Sequence, residues 1–281
     1  MENKEKEKIN FHNNYILLPL SIFLIFNFFY GFYANENSAG AGGYEGDFKL
    51  IWNNLQLFQQ GIIGNFDNPL YTDSRPPLSY MLHTIFNPFV NEKEAFRLST
   101  LFISSIVPLL FFFSIRQNYP SLNSNIAVVL SLIITLSPYF RTTAYWGLGE
   151  NYGLIFLILS HLLLSKFLSN HKTYNKFQNI LSIFTICVLG SLVVYFDQKL
   201  VFIPLLVFII IQFAKVKPYV KIFTVFLFVI FSLPYLYLMH LWGSIIPTSA
   251  SNIRGVGSSI NLYNIGFCLS IIVFYLIPFF R

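Results

Sequence analysis

From Tyr15 to Tyr33 the chain runs for a full membrane width without one charged side chain, and similar apolar runs recur along its length. About 20 apolar residues, rising 1.5 Å each, cross a hydrocarbon layer about 30 Å thick. Further runs near 96–115, 124–140, 151–168, 179–196, 200–214, 221–240 and 263–280 predict about eight transmembrane helices. Composition agrees: 55% of the 281 residues are hydrophobic and only 11% are charged, against about 25% in a soluble protein. A cytosolic enzyme, a nucleic-acid-binding domain and a secreted disulfide scaffold are excluded. Cys187 and Cys268 lie inside apolar runs without metal or disulfide spacing and read as small buried hydrophobes.

Charge placement sets the expected orientation. With the N-terminus in the cytoplasm, Lys4, Lys6, Lys8, Arg116, Lys166, Lys172, Lys176, Lys215, Lys217, Lys221 and Arg281 fall on the cytoplasmic side, a majority of the 18 basic residues. Apart from Glu2, Glu5 and Glu7 in the tail, every acidic residue falls on the other side. The first run is too long for a signal-peptide core and has a poor cleavage site, so it reads as a retained anchor. The chain then divides into a cytoplasmic tail (1–14), a first span (15–33), an outer loop (34–95) and a bundle of about seven helices over 96–281. The expectation is an all-α integral membrane protein, in a bacterial inner (plasma) membrane, whose chemistry faces outward.

A polar connection as long as 34–95 usually has a function. It opens with a glycine-rich stretch ending in Gly46-Asp47, which no Gly-Lys-Ser/Thr follows and no strand precedes, so neither a P-loop nor a dinucleotide fingerprint fits. From Phe48 to Gln60 the apolar residues Phe48, Ile51, Trp52, Leu55 and Phe58 recur at helical spacing. From Pro76 to Phe89, Leu78, Met81, Leu82, Ile85, Phe86 and Phe89 do the same, behind prolines that suit a first turn. Two amphipathic helices lying along the membrane surface are expected.

These pieces occur in a telling order: Gly46-Asp47, then Arg75-Pro76-Pro77-Leu78-Ser79-Tyr80, then Glu94-Ala95-Phe96-Arg97-Leu98-Ser99. Weaker echoes are Ser137-Pro138 with Arg141 to Glu150, and Gly190-Ser191-Leu192 running to Lys199. In this order the chain resembles the polytopic type-C (GT-C) glycosyltransferases, in the branch of dolichyl-phosphate-mannose protein mannosyltransferases and bacterial aminoarabinose transferases. The resemblance covers most of residues 15–215. It implies an inverting transferase that moves a sugar from a polyprenyl-phosphate donor to an acceptor hydroxyl on a glycan, lipid or protein outside the cytoplasm. Membrane lipids are further partners and nucleic acid is not one. No firm cofactor is implied, a divalent metal being left open, and no dedicated metal site is expected.

Such chemistry needs a carboxylate to take the hydroxyl proton and cations to stabilise the departing phosphate. The resemblance places the base at Asp47, whose other reading is the N-cap of the helix that follows. It places the phosphate ligand at Arg75, otherwise an interfacial arginine touching headgroups. Lys199 is a second phosphate candidate, with Asp197 beside it as the alternative, a self-neutralising pair in a tight turn. Glu150 is either a second acid of the site or an acid favoured by a helix dipole in the first turn. Arg141 either pairs with Glu150 or reaches a lipid phosphate, and Arg97 is expected to snorkel to the interface. Asp73 sits one position away from the family's acidic residue. His83 is a candidate for substrate or metal contact, and Trp52, Tyr71, Tyr80, Tyr145 and Trp146 are candidates to stack on a sugar. A transporter or flippase of lipid-linked sugars, or a truncated non-catalytic relative, are the competing readings.

Overall fold

Long apolar stretches with no water to satisfy their peptides must close their hydrogen bonds within each segment, and the chain does so as helices. The computed structural model describes residues 2–37 and 42–250, with residues 2–15 described as backbone only. Among these residues there are helices and turns but no strand. The expected span at 263–280, Cys268, and positions 38–41 of the glycine-rich stretch lie outside them.

Helix α1 (Glu2–Tyr33) is continuous through Pro19 and carries the first span. The polar segment 34–95 contributes α2 (Lys49–Gln60) and α3 (Leu78–Phe86). Helices α4 (Lys93–Ser104) and α5 (Ile106–Asn118) join at Ser105 into one apolar length of 26 residues. After α6 (Ser124–Leu132) and a 3-10 turn come α7 (Pro138–Trp146), α8 (Glu150–Asn170), α9 (Lys176–Phe196), α10 (Phe202–Phe213) and α11 (Pro218–Trp242). Five of these lengths are long and apolar enough to cross a membrane, and they expose large apolar side chains such as Ile22, Phe26, Phe226 and Leu233 outward, as lipid-facing helices do. The protein is an all-α membrane protein.

The span count differs from the eight expected in two described places. The run at 124–140 is not one straight helix: residues 124–136 and α7 meet at 72°. Ser137 is extended, its hydroxyl accepts from Phe140 N, and Pro138 occupies the first turn, so a new helix starts where the old one stops. The run at 200–214 yields only the 12 residues of α10, about 18 Å, because a 3-10 turn at Gln198–Val201 takes up its beginning.

Helices α8 and α9 pack side by side as an antiparallel pair, and α11 packs along α9. One apolar core lies at the end where α8 begins and gathers Phe28, Phe58, Tyr71, Tyr80, Phe96, Tyr145 and Trp146. A second core, around Phe167, Ile183 and Ile211, fills the opposite end. The helices α2 and α3 lie against the first core rather than on lipid alone: Ile51, Leu55 and Phe58 of α2 are buried, and Phe58 stacks on Tyr80 of α3. The apolar face of α2 thus found protein, whereas α3 turns Ser79, Tyr80 and His83 to the core and leaves Ile85 and Phe86, with Phe89 beyond its end, exposed.

Candidate functional site

Arg75 stands at the end of an irregular segment that begins after α2, and its main chain is fixed before its side chain is used. Tyr71 Oη donates to the Arg75 carbonyl, Thr72 N donates to Asn54 Oδ1 of α2, and Arg75 N donates to Asp73 Oδ1. The guanidinium then bridges two carboxylates. Nη1 lies 3.0 Å from Asp73 Oδ1, while Nε, at 2.9 Å, and Nη2 both donate to Glu150 Oε1 at the start of α8. Asp73 also accepts from Tyr80 Oη at 2.6 Å. Burial alone would lower the pKa of Arg75, but Asp73 and then Glu150 outweigh it and hold the group well above its ordinary value. Burial, reinforced by Asp73, pushes the phenols of Tyr71 and Tyr80 well above theirs. Of the five guanidinium hydrogens, three are engaged, leaving one on each terminal nitrogen. Glu150 Oε2 is buried with no hydrogen-bond partner among the described residues.

Lys199 is brought to the same region. Asp197 caps the 3-10 turn by accepting from Lys199 N at 3.0 Å, and the Lys199 ammonium lies 4.0 Å from Asp197 Oδ2 with 75% of its side chain exposed. Between them Gln198 donates to Ser74 O at 2.8 Å, so Lys199 and Arg75 are the chain neighbours of a bonded pair. From this turn an apolar groove of about 550 Å³ runs between α9, α10 and α11, past Tyr195, Phe208, Phe231 and Tyr235. A second groove of about 360 Å³ meets it at Ser191, Tyr195 and Phe231 and reaches Leu78 and Met81.

Asp47 lies in a wide turn, Tyr44–Phe48, entered through Gly42 and Gly43, both with positive φ. A Cβ on Gly42 would stand 2.9 Å from Gly46 Cα, so the close approach needs glycine there. The position before α2 is Phe48, with no side-chain cap, so Asp47 is not the N-cap that the local sequence also allowed. It is half-buried, and the turn rests on Trp146 through Tyr44, with ring centres 6.3 Å apart. Trp146 precedes α8 by a short left-handed turn at Gly147, which puts Asp47 and Glu150 at the same end of the bundle.

Two arginines are placed otherwise than expected. Arg141 pairs with Glu36 at 2.6 Å, not with Glu150, and donates to Tyr145 Oη and Asn27 O. Its partner comes from the end of α1 because Gly31 leaves the room: a Cβ there would collide with Arg141, Glu36 and Tyr145. Arg97 does not snorkel. It is 3% exposed, donates to Tyr145 O, Glu94 and Asn35, and lies 4.4 Å from the Trp146 ring and 4.9 Å from that of Phe32.

His83 is buried between Tyr152, 3.0 Å from Nε2, and Asn87, 3.0 Å from Nδ1. Burial lowers its pKa to about 4, so the ring is neutral at pH 7. It lines a cavity of about 560 Å³ with Ser79, Ser99 and Tyr152. Among the described residues no group of His, Cys, Asp and Glu is arranged to hold a metal. Tyr71, Tyr80, Tyr145 and Trp146 are core residues, while Trp52 is partly buried against Phe48 and Phe96. Sequence reasoning missed Gln198 as the link between the two cationic segments, although its place between Asp197 and Lys199 in an outer turn was a usable signal. The aromatic enclosure of Arg97 had no comparable signal, because its rings come from α1, the Tyr44–Phe48 turn and α7. Compared with protein-family models, curated proteins and solved structures, the chain finds no match.

Proposed function

We propose that the chain is an inverting membrane glycosyltransferase that uses a polyprenyl-phosphate sugar. The observation that carries the reading is the apolar groove that ends at Gln198, which is itself bonded to Ser74 beside Arg75. An isoprenoid chain lies in such a groove while its phosphate meets the two remaining Arg75 hydrogens and the Lys199 ammonium. Lys199 supplies the exposed cation of the site, although Arg75 and Lys199 with Asp73, Glu150 and Asp197 still sum to one negative charge. The acceptor oxygen attacks the anomeric carbon from the face opposite the phosphate. The carbon–oxygen bond to phosphate breaks with its electron pair leaving on the phosphate, and Asp47 takes the hydroxyl proton. Glu150 positions Arg75 through Oε1 and offers Oε2 to a sugar hydroxyl.

The test is incubation of the purified full chain with radiolabelled polyprenyl-phosphate sugars and candidate acceptors. Label appears on acceptor or in water with the wild type, is lost in Asp47→Asn, and is strongly reduced in Arg75→Lys and Lys199→Gln. Donor that stays intact in detergent but crosses the bilayer of reconstituted vesicles would replace transfer with transport.

A further inference from the structure

From α8 to α11, the connections at the end of the bundle opposite Arg75 carry charge of one sign. α8 starts at Glu150 and ends at Asn170, and α9 returns from Lys176, so the connection between them lies one 21-residue helix away from the candidate site, about 31 Å. The sequence has no Asp or Glu between Glu150 and Asp197, and none after Asp197. A cavity of about 190 Å³ lies at this end, lined by His171, Lys172, Asn179, Lys215, Lys217 and Val220. That is room for about six waters at about 30 Å³ each. Its walls are preset. His171 faces Lys215 O at 3.2 Å with one ring nitrogen and Leu168 O at 3.0 Å with the other, tying the 214–217 connection to the end of α8. None of the three lysines makes an ion pair among the described residues.

Asn179 supplies the second, independent observation. It is 2% exposed, and its Nδ2 donates to Tyr174 O at 3.2 Å, which fixes the amide because a carbonyl cannot donate. Its Oδ1 is therefore an acceptor, buried and without a partner among the described residues. A bare anion would satisfy the lysines and leave Oδ1 unmet. An anion that also carries a hydroxyl meets both, and the exposed Phe213, Ile222 and Phe226 of α10 and α11 favour one that bears acyl chains, a phosphodiester lipid with a headgroup hydroxyl.

We infer that this cavity binds the headgroup of an anionic glycerophospholipid of the phosphatidylglycerol type. The phosphate meets Lys172, Lys215 and Lys217, and a headgroup hydroxyl donates to Asn179 Oδ1. Basic cavities between helix ends suit such headgroups, and the apolar flanks of α10 and α11 receive the acyl chains.

The test uses the delipidated full chain in detergent, titrated with phosphatidylglycerol and followed by native mass spectrometry. Phosphatidylglycerol binds more tightly than zwitterionic phosphatidylcholine. At about fivefold per lysine, Lys172→Gln, Lys215→Gln and Lys217→Gln combined weaken it on the order of a hundredfold, and Lys166→Gln, on the same helix end but outside the cavity lining, does not. Asn179→Leu weakens phosphatidylglycerol but not phosphatidylmethanol, an anionic diester whose headgroup carries no hydroxyl. Equal binding of phosphatidylglycerol and phosphatidylcholine, or full affinity in the triple variant, overturns the inference. So does glycerol phosphate or inorganic phosphate binding as tightly as the lipid, which would mark a soluble-anion site instead.

Discussion

Glu150 holds the Arg75 guanidinium with one carboxylate oxygen, Oε1, and keeps the other, Oε2, buried and unpartnered among the described residues. The two residues lie 75 positions apart, so the pair fastens the long polar segment before α4 to the first turn of α8. Asp73 carries more of the load: it is 1% exposed and accepts from Arg75 N, Arg75 Nη1 and Tyr80 Oη.

Removing either acid should therefore cost unequal amounts. Asp73→Ala leaves a buried cation half-held and two donors unmet, a loss of about 3–5 kcal/mol. Glu150→Gln keeps an acceptor near Arg75, at a partly exposed position, and costs about 1–2 kcal/mol. Thermal unfolding in detergent should rank the variants in that order; the reverse order would mean that Glu150 is the main anchor of Arg75.

Asp47 stands apart from this framework. Its turn is shaped by Gly42 and Gly43, and it does not supply the N-cap of α2. Asp47→Asn, a near-isosteric change, is expected to alter stability by no more than about 0.5 kcal/mol while abolishing sugar transfer. A large stability loss in that variant would assign Asp47 a structural role.

His83 makes stability depend on pH with a definite sign. Its pKa is about 6.5 in the unfolded chain and about 4 when folded, lowered by burial. As pH falls below about 6.5 the unfolded chain takes up the proton first, so stability is full above that value and declines down to about pH 4. The difference corresponds to about 3 kcal/mol. Between pH 7 and 4.5 the wild type should lose more melting temperature than His83→Gln, and parallel losses would show that the ring does not set this slope.

At Gly31 a single methyl group should unfasten α1 from α7. Gly31→Ala drives a Cβ into Arg141, Glu36 and Tyr145, which tie the two helices together, and overpacking of this kind costs about 1–3 kcal/mol. The double variant Gly31→Ala with Glu36→Gln should cost less than the sum of the two single variants, because both act on one cluster.

The helices α2 and α3 were legible in the sequence because apolar residues at helical spacing read the same whether the face meets lipid or protein; their partners were not. The break at Ser137-Pro138 was written in the sequence as a cap followed by a first-turn proline, but an unbroken apolar run hid it. Hydropathy counts side chains and is blind to one extended residue. Of the candidate residues, Arg75, Asp73, Tyr80 and Glu150 do meet. The pairing of Arg141 with Glu36 was not readable, since the nearer acid in sequence, Glu150, was already taken by Arg75. Which of two carboxylates an arginine reaches depends on packing, here on the absence of a side chain at Gly31.

The bend between α6 and α7 has a geometric outcome of its own. Residues 124–136 amount to about 21 Å of helix, against a hydrocarbon layer of about 30 Å. The chain therefore turns aside after less than a membrane width, and α7 with Arg141, Thr142 and Thr143 is carried sideways under protein cover. Here that cover comes from α1 and α4. The result is a set of hydrophilic side chains, Arg141, Thr142 and Thr143, enclosed by protein at the end of the bundle where α8 begins.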